Sequence, residues 1–437
     1  MILSFYSFVV NLISVFTSKI PDKVRNVMIQ ISIYIIAGVS LLRWMNPVFK
    51  PGDTVKTIHY IAVAMLIILF ISSIDGKIDI KRIKTNRLFW AGWFICFISM
   101  FLLSFRNEVD LYYRHWSILS LTIFPGLFLV WESRGDCEKL FVRAARASIV
   151  MFWLYIIITF AFSPIADGSA FRAFVGVTAN PNANGLICSG FFSSVLYMAA
   201  RRNNKWFAYV ATAGCMFALA YISDTRTAEL LMGLEFLIYI IYTLRNSDNE
   251  KSLFRKLLLC VLILAIFVSF AFAFYHVLDM YSKTDYYANG EDTLELEEEA
   301  SEAIDNINDV SSGRLAFWKA FISKSTLLGN GTPDEPLIEG KKASRKAHNN
   351  LIEVLYVSGY ISALGFGLWL ASGIIYSAKK TLGRKKMKVE ELFAVLSFTG
   401  YFVELMLEVM IYPTAAFVSF TGTLALCLVA GGVEGKH

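Results

Sequence analysis

Charge is scarce in this chain: Asp, Glu, Lys and Arg make up 17% of its 437 residues, against 56% for apolar types. A soluble domain carries roughly a quarter charged residues, so that class is excluded. Cysteine is sparse too. Cys96, Cys188, Cys215, Cys260 and Cys427 fall in or beside apolar runs and Cys137 in a basic loop, with no CxxC or Cys/His ligand spacing. Neither a structural zinc site nor a disulfide framework is indicated. The chain has no P-loop, no GxSxG and no HExxH, and its acidic run lacks the EF-hand spacing. Nothing therefore points to nucleotide hydrolysis or metalloprotease chemistry. No repeat period is visible, which leaves a solenoid or an inverted-repeat transporter without direct support.

What the chain has is apolar runs of helical length without the period of an amphipathic surface helix. A membrane span needs about 20 apolar residues, and about 12 such segments are present. They begin near Val27, Thr57, Leu88, Trp116, Ala147, Asn184, Trp206, Thr227, Lys256, Asn350, Leu392 and Thr414. The expected fold is an all-α polytopic membrane protein with about 12 transmembrane helices and one large extracytoplasmic loop. Met1 to Thr17 is a further apolar run with no basic n-region and no small-residue cleavage site, so it does not read as a removed signal peptide, and whether it spans is left open.

Basic residues orient the bundle. With Lys19, Lys23 and Arg25 inside, the clusters at Lys77 to Arg87, Arg134 to Arg146, Arg201 to Lys205, Arg245 to Lys256 and Lys379 to Lys388 fall on the same side. About 26 of the 41 Lys and Arg lie inside and about 7 in the short outside loops, the asymmetry of the positive-inside rule. Both ends of the 12-span core are then cytoplasmic. The net charge of +6 records this topology and is no sign of nucleic acid as a partner.

Three regions follow, within one integrated membrane domain: N-terminal helices over 1–277, an extracytoplasmic loop over 278–347, and C-terminal helices over 348–437. The loop far exceeds ordinary connections of about 12–15 residues. Its first half is acidic from Glu291 to Asp309, and its second half places Leu315, Trp318, Phe321 and Ile322 at helical spacing behind Ser311 and Ser312. That spacing predicts an amphipathic helix lying on the membrane or the bundle. Gly329, Asn330, Gly331 and Pro333 mark a turn, and a helix starting at Asn350 follows, with Glu353 three residues on as in a capping box.

The polar candidates collect on the outer side. Arg226 in SDTRTAE stands at a helix start, where unpaired N–H groups and partial positive charge suit a phosphate. Its guanidinium suits a pyrophosphate, although pairing with Asp224 or Glu229 is the plainer alternative. Arg314 and Arg172 are further candidate phosphate contacts, each equally able to face water or lipid headgroups. His348 is the histidine in a polar outer loop beside a helix entry. An imidazole titrates near ~6.5, which suits it to take a proton from a sugar hydroxyl; local capping is the alternative. Asn180, Asn182 and Asn184 around Pro181 suit sugar hydroxyls or a simple turn into a span. Glu404 and Glu408, one turn apart in a span, suit positioning of an acceptor, balancing of an arginine, or a proton path.

GRLAFWKAF, then GNG, then AHNNLIEVLYVSGYISALG resembles the signature region of the O-antigen ligase and Wzy-type polymerase superfamily, and NPNANGL and SDTRTAE resemble its upstream motifs in the expected order. The resemblance runs from about the third span onward. It implies a GT-C-like membrane glycosyltransferase of the bacterial cytoplasmic (inner) membrane, with its active site facing outward. Such a protein moves a glycan from an undecaprenyl-pyrophosphate carrier to a glycan or lipid acceptor, with no nucleotide sugar, and the ligases need no metal; no cofactor is expected. By motif, Arg226 binds the donor pyrophosphate, Arg314 assists it and His348 activates the acceptor hydroxyl. The chain departs from the pattern in its acidic loop half and in KKASRK ahead of His348. Polymerase is slightly favoured over ligase; a secondary transporter and a non-catalytic scaffold are the readings from other classes.

Overall fold

The computed structural model describes residues 2–45, 54–105, 111–162, 174–178, 181–246, 253–282, 314–331, 337–338, 341–342, 347–383, 385–407 and 417–431. These are helical almost throughout. In chain order the helices are α1 (Ile2–Thr17), α2 (Asp22–Trp44), α3 (Thr54–Ser73), α4 (Arg87–Leu103), α5 (Leu111–Arg134), α6 (Cys137–Phe162) and α7 (Pro181–Ala200). There follow α8 (Trp206–Ile222), α9 (Arg226–Asn246), α10 (Leu253–Ser282), α11 (Arg314–Lys324), α12 (Asn350–Leu382), α13 (Val389–Leu407) and α14 (Phe417–Gly431). Leu337–Ile338 and Lys341–Lys342 form a two-residue antiparallel pairing.

Among the described residues seven helices, α2, α5, α6, α7, α9, α10 and α12, are long and apolar enough to cross a membrane, the make-up of a multi-pass membrane protein. The pattern of exposure agrees. On α10 the residues Phe254, Val261, Val268 and Phe272 are all more than half exposed, and α1 turns Ser7, Ser14 and Thr17 inward while Phe5, Phe8 and Phe16 face out. Surfaces of this kind are costly in water and suit lipid. The run at α10 continues to Ser282, past the end expected near His276, because Leu278 is buried and Tyr281 stacks edge-on against Phe160 of α6.

Small residues set the closest contacts. A Cβ at Gly365 of α12 would come within 2.3 Å of the Cys96 backbone on α4, and one at Gly92 within 2.6 Å of the Trp369 backbone. Glycine alone lets these helices touch, the device membrane helices use where lipid supplies no hydrophobic drive to associate. Around this crossing Trp93 packs on Phe124 at 4.3 Å with the rings tilted and meets Trp369 edge-on at 5.6 Å, joining α4, α5 and α12 in an aromatic core. Helix α7 runs through the middle of the bundle: Asn182 is the one residue of it that is not buried.

The helix ends sort onto two faces. On one face, Arg134 at the end of α5 bonds Asp75 and Asp136 at 3.0 Å each, Lys139 bonds Asp136 at 3.0 Å, and Arg201 pairs with Glu138. Arg25 is buried there and donates to the carbonyls of Ile74 at 2.6 Å, Thr17 at 2.9 Å and Ile20 at 3.1 Å. Lys380 of α12 pairs with Glu391 of α13 at 2.5 Å, and Arg245 at the end of α9 donates to the carbonyls of Thr381 and Lys385. Burial raises the Asp136 carboxyl, but the hydrogen bonds and charges of Arg134 and Lys139 outweigh it and leave it below its usual range. These are the basic clusters that the sequence puts inside.

The opposite face follows from the same contacts. Because the C-terminal ends of α9 and α12 meet at Arg245 and Thr381, the two helices run in the same direction and their N-termini share the other face. Tyr113 at the start of α5 reaches Glu353 there at 3.5 Å, and Arg114 holds the Ser104 carbonyl at the end of α4 at 2.7 Å.

Candidate active site

Two N-terminal turns on this second face carry Arg226 and His348. Among the described residues three non-glycines have positive φ: Arg202, Asp224 and His348. Two of the three therefore adjoin or are the candidate residues, in a backbone region that few side chains adopt. Such conformations persist where neighbouring contacts impose them.

The loop at His348 is held from both sides. Trp318 of α11 donates its indole N–H to the Ala347 carbonyl at 2.6 Å, and the Ala347 N–H donates to Glu353 Oε1 at 3.1 Å. On the other side Asn349 caps α12, its Oδ1 accepting from the Ile352 N–H at 3.1 Å. The cap is thus Asn349, and Glu353 reaches past it to Ala347 rather than closing the expected capping box. His348, with φ of 47°, sits half-buried between these two anchors.

Helix α11 rests on α12, with Phe321 buried edge-on against Tyr356 at 4.9 Å. Beyond it the Gly329–Gly331 turn is stitched to a break in α12. Gly359 has φ of 81° and ψ of 179°, so the helix ladder stops there and carbonyls are freed. The Asn330 N–H takes Tyr356 O at 2.8 Å, the Gly331 N–H takes Val357 O at 3.0 Å, and the Tyr360 N–H takes Leu327 O at 3.1 Å. Glycine is required at both partners: a Cβ on Gly329 would lie 2.2 Å from Val357 O, and one on Gly359 2.3 Å from Leu327 O. The result is a corner that ties the 327–331 turn to α12 at 356–360, while Trp318 of the same arm holds the residue before His348.

Arg226 opens α9 after the turn Ser223–Thr225. Thr225 Oγ1 donates back to Ala220 O at 2.8 Å, and the arginine makes a long 3.9 Å pair with Asp224. Both partners are more than two-thirds exposed, so this pair is weak and the guanidinium remains available to a ligand. The start of α9 lies against α7, where a Cβ on Gly185 would come within 2.7 Å of the Thr225 side chain.

The other candidates are distributed differently. Arg314 is the first residue of α11 and its side chain, like Arg172, Asn180 and Glu408 in full, lies outside the described residues. Asn182 is exposed on the first turn of α7. Asn184 is fully buried and structural: its amide donates to Phe174 O and Ser223 Oγ at 2.9 Å each, and its carbonyl accepts from Tyr155. Glu404 is also buried, near the end of α13 remote from the Lys380–Glu391 pair, where it accepts from Ser189 at 2.9 Å. On α9 a second acid, Glu235, is buried against Gly400, one turn along α13 from Glu404; sequence reasoning passed over it although a lone acid in LLMGLEFLIYIIY is itself a signal. His59 and His115 line an apolar cavity of about 430 Å³ between α1, α3 and α5, together with Ile67, Phe70 and Leu119.

No protein-family model and no curated protein matches this chain. Its six cysteines are free and buried, and no cluster of His, Cys, Asp and Glu among the described residues is arranged to hold a metal ion.

Proposed function

We propose that the chain is a membrane glycosyltransferase of the O-antigen ligase and Wzy-type polymerase kind, polymerase slightly favoured. On this reading about 12 helices span the bacterial cytoplasmic membrane in a GT-C-like arrangement, and the second face points outward. The observation that carries the reading is the shared face of Arg226 and His348, with α11, headed by Arg314, bonded to the His348 loop.

The donor is an undecaprenyl-pyrophosphate-linked oligosaccharide and the acceptor a hydroxyl of a second lipid-linked glycan or a lipid. His348 accepts the proton of the attacking hydroxyl. The new C–O bond forms at the anomeric carbon as the bond to the diphosphate breaks, with inversion. Arg226, assisted by Arg314, stabilises charge on the departing diphosphate, the point at which a fixed guanidinium contributes most. Positioning of donor and acceptor supplies the rest. No cofactor enters the scheme.

One observation favours a second reading as a secondary transporter: the carboxyls of Glu235 and Glu404 are buried within the bundle. Purified protein given a lipid-linked oligosaccharide separates the two. Chain-length ladders with released undecaprenyl pyrophosphate are expected of the transferase. Substrate counterflow in liposomes with no released pyrophosphate would establish the transporter instead.

A further inference from the structure

Helices α7, α9 and α13 meet along a polar seam that the transfer scheme does not use. Glu235, near the middle of α9, is fully buried, and neither of its carboxyl oxygens has a hydrogen-bond partner. Oε1 lies against Gly400 of α13, where an added Cβ would be 2.6 Å away. One turn further along α13 stands Glu404, bonded to Ser189 of α7. One turn back, Ser397 and Ser193 join the same two helices at 3.4 Å.

The acid next along α13 from the Gly400 contact is Glu404. Helices α8, α10 and α12 also pack on α9, and no cation on them among the described residues acts on this carboxyl. A carboxylate with no donor and a second acid one turn away is far more costly in such a place than the neutral acid. An alkali ion would need a shell of oxygens, and among the described residues no group hydrogen-bonded to Glu235 supplies one. The occupant that fits is a proton.

We propose that Glu235 is a buried proton-binding site, coupled to Glu404 across the α7–α9–α13 seam and filled at neutral pH. Emptying it leaves a dehydrated charge against α13, one turn from the acid of Glu404, and pushes α9 from α13. Because α9 begins at Arg226, proton occupancy then bears on the outer end of that helix.

Infrared spectroscopy of the full-length protein in lipid nanodiscs tests this. Wild-type protein at pH 7 is expected to show the C=O stretch of a protonated carboxylic acid with its D2O shift, and Glu235→Gln to lose it. Absence of the band in wild type, or a band that Glu235→Gln leaves intact, overturns the proposal. If that variant does not fold, as read by its melting transition, Gly400→Ala provides a second arm: its methyl group against Oε1 should shift the band, and an unmoved band counts against the assignment. Loss of the wild-type band on adding sodium at fixed pH would reveal an alkali-ion site and refute the proton.

Discussion

Replacing Gly359 with alanine tests how the His348 loop is held. The residue has φ of 81° and ψ of 179°, a region essentially confined to glycine, and forcing another residue into it costs about 1–3 kcal/mol. The new methyl group would also lie 2.3 Å from Leu327 O and 2.4 Å from Gly329 N, both backbone atoms that cannot rotate away. Relief requires the α11 arm to lift, which breaks the three hydrogen bonds of Asn330, Gly331 and Tyr360. At about 1 kcal/mol each, these bring the total to on the order of 4–6 kcal/mol. The opening is local, so hydrogen exchange at those three amides is the assay. Protection is expected to fall by about a thousandfold to ten-thousandfold, since each 1.4 kcal/mol is tenfold, while amides in α4 and α7 keep theirs. Unchanged protection in a folded Gly359→Ala protein would refute the account of the corner.

Arg25→Met removes a buried guanidinium that three carbonyls share, and is expected to lower stability by about 3–5 kcal/mol, read as a drop in melting temperature. Gly365→Ala puts a methyl group 2.3 Å from the Cys96 backbone and should separate α4 from α12, measured as a longer spin-label distance between the two helices. The Asp136 carboxyl is held below its unfolded value, so its contribution is present above about pH 4 and is lost as pH falls through its lower folded value. Melting temperature followed down from pH 6 should therefore fall in wild type and flatten in Asp136→Asn, and equal slopes would contradict the Arg134–Asp136–Lys139 cluster.

The helices and their directions were legible in the sequence because two strong signals, apolar run length and the side on which Lys and Arg collect, act locally. The Gly329–Gly331 turn was legible as a turn for the same reason. Its destination was not: the carbonyls freed at Gly359 lie some thirty residues on, and nothing in either segment names its partner. The cap of α12 was misplaced by one residue because Asn349 and Asn350 are equally good caps in isolation, and only the pull of Ala347 on Glu353 decides between them. Asn184 suited sugar hydroxyls or a simple turn into a span, and its hydrogen bonds with Tyr155, Phe174 and Ser223 make it part of the core. Glu235 stood in plain view, but its packing against Gly400, one turn from Glu404, belongs to the tertiary fold.

The central claim is that His348 and Arg226 carry glycan transfer on one face of the bundle. Purified wild-type protein with a lipid-linked oligosaccharide should form longer glycans and release undecaprenyl pyrophosphate. His348→Ala and Arg226→Ala should each slow this by at least about a hundredfold at unchanged melting temperature, the usual weight of a general base or a charge-stabilising group. Transfer by folded His348→Ala protein at the wild-type rate would contradict the claim.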